Sequence, residues 1–157
     1  MDDEQYRQTR AAIEEPRCLY EKALQYGYFS CRYARKIALG EREAVHCSQP
    51  EANARCHEFY TLSPQHSGFA LGTSKLPAHL TFNKAMKVQI GGLTGAMQLA
   101  GLGVPRMNQA GSCDLPDVSD CLVQLQSDKG TFDALNYSRI VPCIQEFSLR
   151  KRRRERE

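Results

Sequence analysis

The stretch "HLTFNKAMKVQIGGLTGAMQLAG", residues 79–101, constrains this chain more than any other. Leu80, Met86, Ile90, Leu93 and Met97 recur at roughly helical spacing, which predicts a helix. Gly91 and Gly95 lie four apart within it, as do Gly92 and Ala96, so each pair shares one side. A glycine costs a helix about 1 kcal/mol relative to alanine. Close approach of a second helix along the small side offsets that cost. The competing reading, a loop that cradles phosphate, needs G-x-G-x-x-G or G-K-[ST] spacing and a strand before it, and neither is present. Lys87, Gln89, Gln98 and the glycines also make residues 85–104 a poor membrane span.

Helix punctuation recurs elsewhere. Pro16 suits a first helical position and Gly27 a stop. Ser30 and Gly40 bracket a second segment in the same way, with Tyr33 and Ile37 on its inner face. Ser48 and Glu51 fit a capping box, Pro50 the first turn, and Pro64 the end of a third helix. Residues 63–78 and 101–116 read as connections. Val118, Cys121, Leu122 and Leu125 form an apolar stripe that Gly130 stops. Ile140, Ile144 and Phe147 align in the last helix, where Pro142 is tolerable only in a first turn. No β-branched run alternates cleanly, and no Asn-Gly or Asp-Gly turn occurs. The expected fold is therefore all-α, a single compact domain of about six or seven short helices around the glycine-containing central helix. That domain spans residues 1–149, with a four-cysteine part at 16–62 and a helical part at 79–149.

Net charge divides the chain differently. Of the overall +3, the closing "RKRRRERE" of residues 150–157 supplies +4, from six Arg or Lys and two Glu. The remainder, with 15 basic and 16 acidic residues, sums to −1. Arg150, Lys151, Arg152, Arg153 and Arg154 are thus the candidate contact for nucleic acid or an acidic protein, bound in a salt-sensitive way. A frayed, solvated helix end is the plainer reading of the same residues. The start "MDDEQYRQTR" is acidic and has no apolar core, so the expectation is no secretory signal and a cytoplasmic protein.

Seven cysteines are many for a reducing compartment, and their odd number argues against a disulfide framework. Cys18, Cys31, Cys47 and Cys56 are grouped, whereas Cys113, Cys121 and Cys143 read as core positions. The C-x12-C-x15-C-x8-C spacing lacks the close pairs of a zinc finger and the tight run of a ferredoxin. On the expected helices, Cys18, Cys31 and Cys47 fall at helix starts, where free N–H groups and the macrodipole favour a thiolate. Cys47 and Cys56 would stand about 13 Å apart along the axis. That span suits a multi-iron cluster better than a single zinc, whose sulfurs all lie at about 2.3 Å from one atom.

The metal ligands expected are therefore Cys18, Cys31, Cys47 and Cys56, holding an iron–sulfur cluster, 4Fe–4S ahead of 2Fe–2S, with zinc as the alternative. His46, His57 and Arg32 are the candidates for tuning it from outside the ligand shell. Dispersed core thiols and a redox thiol pair are the other two readings of the same four residues. His66 and His79 lie in or beside the long connection and gain no partner from sequence. No H-E-x-x-H, no G-x-S-x-G and no evident carboxylate pair is present, so no catalytic residue is assigned. The expectation is an electron-transfer, redox-sensing or accessory protein with a protein partner and no membrane. The alternative is a metal-free helical module that docks through its basic tail.

Overall fold

The computed structural model describes residues 1–71, 80–102 and 115–148. The fold is mostly helical, but it contains a two-stranded antiparallel sheet, which corrects the all-α expectation. Strand β1, Ala34–Leu39, pairs with β2, Arg42–Cys47, in the register Ala34↔Cys47 to Leu39↔Arg42. The segment expected as a second helix is therefore a hairpin. Its two-residue turn is Gly40–Glu41, with Gly40 at φ +64°, a left-handed conformation that glycine adopts without a Cβ penalty.

The expected helix from Pro16 is also corrected. Residues 16–18 run extended along the free edge of β2. Cys47 N–H donates to Pro16 O at 2.8 Å and Cys18 N–H to Val45 O at 3.0 Å, with a bridge between Arg17 and His46. Only Glu21–Gln25 coils, as α2, after the N-terminal helix α1 of Asp3–Ala11. Pro16 is compatible with this position because its fixed φ suits an edge and its missing N–H is not needed there.

Helix α3 runs Pro50–Leu71, straight through Pro64. Its start is not the expected capping box. Ser48 lies outside the helix and its hydroxyl donates to Tyr33 O at 3.0 Å, tying the end of β2 to the turn before β1. Next come α4 (Phe82–Met86), a π-helical turn (Lys87–Gly91) and α5 (Gly92–Leu99), continuous with one another. Helix α6, Val118–Lys129, is capped by Asp117, whose carboxylate accepts from Asp120 N–H at 2.9 Å, and Gly130 ends it at φ +81°. A short 3-10 turn, Phe132–Ala134, leads into α7, Tyr137–Glu146.

The core sits where α7 crosses the π turn and α5. A Cβ added at Gly91 would stand 2.5 Å from Ile144 Cα, and one added at Gly95 would stand 2.8 Å from Ile140 Cα. The two glycines thus bring the backbones together, as their spacing predicts. Leu93, Ala96, Met97, Leu122, Phe132, Ile140 and Ile144 fill the space around this crossing. Pro142 lies mid-helix rather than in the first turn of α7. It is tolerated because both it and Ser138, whose carbonyl loses its donor, are exposed to water. No helix among the described residues is long and apolar enough to cross a membrane.

Candidate metal centre

The hairpin, not a set of helix starts, assembles the candidate site. Cys18 comes from the extended edge segment, Cys31 from the turn before β1, Cys47 from the end of β2, and Cys56 from the second turn of α3. All four line one small cavity together with Tyr20, Leu24, Ala34, Ala52 and Val118. Ala34 and Cys47 are directly opposed in the sheet, and Cys18 N–H bonds across to the same strand, so the sheet fixes the entry of three of these residues. Cys47 is buried and the other three are half-buried, and all are free thiols. Cys113 lies outside the described residues. Cys121 is buried in the core on α6, and Cys143 sits on α7, half-buried, away from the cavity.

The thiols sense one another. Burial, with the nearby Cys31 and Cys47 adding to it, pushes the Cys18 thiol up to about 12. Burial likewise raises Cys56, with Cys18, Cys31 and Cys47 adding to the shift. Cys31 is raised by burial and by Asp117 and Cys47. Opposing these effects are backbone N–H groups that hydrogen-bond the sulfurs: Tyr20 to Cys18, and Tyr33 and Ser119 to Cys31. Ser119 lies in the first turn of α6, so the positive end of that helix faces the Cys31 sulfur. Cys47 donates its S–H to Gln49 O at 3.2 Å.

This donor set has the number and softness that an iron–sulfur cluster or zinc requires. The cavity is about 20 Å³, room for about one water molecule. Among the described residues no three His, Cys, Asp or Glu side chains are arranged to hold a metal ion as they stand. A bound group therefore requires the cysteines to rotate into other staggered rotamers and open the cavity.

The candidates outside the ligand shell are placed differently. His46 is 1% exposed and borders the cavity, but both ring nitrogens are engaged. Its Nδ1–H donates to Glu15 O at 2.7 Å, and its Nε2 accepts from Arg10 Nε–H at 3.3 Å. Arg10 is itself buried and ion-paired with Glu21. Sequence reasoning missed this pair, since nothing in "QTRAA" marks an interior arginine. Arg32 does not line the cavity; it pairs with Asp120 and Asp117, while its backbone N–H donates to Asp117 Oδ2 at 2.7 Å. His57 is exposed on α3, beside Thr61, and lines a wide cleft rather than the cavity. His66 stacks on Tyr137 with ring centroids 3.8 Å apart. His79 and the tail, including Arg150, Lys151, Arg152, Arg153 and Arg154, lie outside the described residues.

Comparison of the chain with protein-family models, with curated proteins and with solved structures finds no match, so the reading of this site stands on its chemistry alone.

Proposed function

We propose that the protein carries an iron–sulfur cluster on Cys18, Cys31, Cys47 and Cys56 and serves in electron transfer or redox sensing. The observation that carries this reading is that four thiols, drawn from four separate segments, line one small cavity. Burial, with neighbouring sulfurs adding to it, holds the Cys18, Cys31 and Cys56 thiols protonated, which makes them poor nucleophiles. A cationic iron core reverses that balance, because it takes the thiolates and releases their protons. The N–H groups of Tyr20, Tyr33 and Ser119 would then bond ligated sulfurs and raise the potential. The cluster, when bound, supplies a one-electron store; the chain supplies the ligands, the hydrogen bonds and an apolar wall.

Single Cys→Ser substitutions test the assignment. Each of C18S, C31S, C47S and C56S should lose most iron and sulfide from anaerobically purified protein, while C143S, remote from the cavity, should keep both. Equal metal content in all five variants would refute the ligand set. Zinc in place of iron, with no visible absorbance, would replace the cluster by a structural ion.

A further inference from the structure

A second cavity lies against the first. It is an open cleft of about 1340 Å³ whose walls come from α1, the extended edge segment, α2, the start of β2, α3 and the π turn. Cys18 and Leu19 line both spaces, so the wall between them is one residue pair thick. The cleft is large enough for a small organic molecule with some solvent.

Its lining is charged unevenly. Arg10, Arg17, Lys22 and Arg42 face it, against Glu21 and Glu43. Arg10 is neutralised by Glu21, and Arg42 is paired with Asp3. Arg17 and Lys22 make no ion pair among the described residues, and both are exposed. Beside these cations the ring of Tyr60 and the side chain of Leu19 offer a half-buried apolar floor. Gln89, on the π turn, completes that floor. Its carboxamide oxygen is buried without a hydrogen-bond partner among the described residues. The Gln89 side chain also hydrogen-bonds Tyr60, and a carbonyl oxygen left without a partner suits a ligand that brings a donor. Single π turns recur at functional sites.

We propose that this cleft binds a small aromatic anion, its ring on Leu19 and Tyr60 and its charge on Arg17 and Lys22, in contact with Cys18. The ligand would then lie beside the four-cysteine site, and its binding to the cleft does not rest on the metal reading.

Fluorescence titration of the full chain with anilinonaphthalene sulfonate, and with its uncharged counterpart N-phenylnaphthylamine, tests it. The sulfonate should bind one saturable site and the neutral probe about tenfold more weakly, the loss expected for a charge-assisted contact. The double variant R17Q/K22Q alters exposed side chains only, so it should fold and bind both probes equally. Retention of the charge preference in C31S would support the cleft whatever that variant's iron content, which separates this test from that of the metal site. Equal binding of both probes to the parent chain, or an unchanged preference in R17Q/K22Q, would overturn the proposal.

Discussion

Arg10 and His46 meet in the interior through a 3.3 Å hydrogen bond that runs from the guanidinium Nε–H to the imidazole Nε2. With Nδ1–H given to Glu15 O, the ring is fixed as one neutral tautomer and neither nitrogen is free for a metal. His46 therefore acts as a strut between α1 and the sheet. Replacing it by Ala leaves a buried guanidinium short of one acceptor, at a cost of about 2–3 kcal/mol. We expect H46A to lower the denaturation midpoint while the metal content per folded chain stays unchanged. Loss of metal without loss of stability would make His46 a ligand instead.

Gly91 and Gly92 are neighbours with opposite expected responses. A Cβ at Gly91 meets the backbone of α7 at 2.5 Å, and backbone cannot rotate aside. G91A should cost about 2 kcal/mol after the helix-propensity gain is set against the overpacking. A Cβ at Gly92 meets Ser63 Oγ at 3.7 Å, an ordinary contact. G92A should be neutral or stabilise by up to about 1 kcal/mol. Urea denaturation of the two variants measures both signs.

The thiols set a pH dependence for the metal-free chain. In the folded state burial raises Cys18 from an ordinary 9.0 to about 12, and Cys56 moves the same way. Between these values the folded chain holds more protons than the unfolded one, so stability falls as pH rises. It is fully present below about 9 and lost on approach to about 12. In the loaded protein the thiolates are already deprotonated, so the alkaline loss should shrink and metal release should appear on the acid side. Thermal melts of both forms across pH 6 to 11 (about one step per unit) check the reversal. The same alkaline profile in both forms would contradict ligation by these thiols.

Much of the helical half was legible in the sequence. The stripe of Val118, Cys121, Leu122 and Leu125, its stop at Gly130 and the small face of Gly91 and Gly95 all depend on local periodicity, and the structure agrees with them. The hairpin was not legible by the same means. "ARKIAL" consists of good helix formers apart from Ile37, and Arg35 and Lys36 are both exposed, so its strand character comes from pairing with β2. The available signal was Gly40–Glu41 between two short apolar runs, a turn outside the Asn-Gly and Asp-Gly pattern. The four cysteines could be singled out by residue type and grouping. How they meet could not be read, because the meeting depends on that hairpin and on residues 16–18 pairing with it. The Arg10–His46 contact joins residues 36 apart in sequence, beyond any periodic signal.

The most direct measurement is iron and acid-labile sulfide per chain after anaerobic reconstitution with ferrous iron and sulfide, read with the visible spectrum. The account predicts a brown protein with about four iron and about four sulfide per chain, as four-cysteine ligation of a cubane requires. A colourless chain that retains neither iron nor sulfide would contradict it.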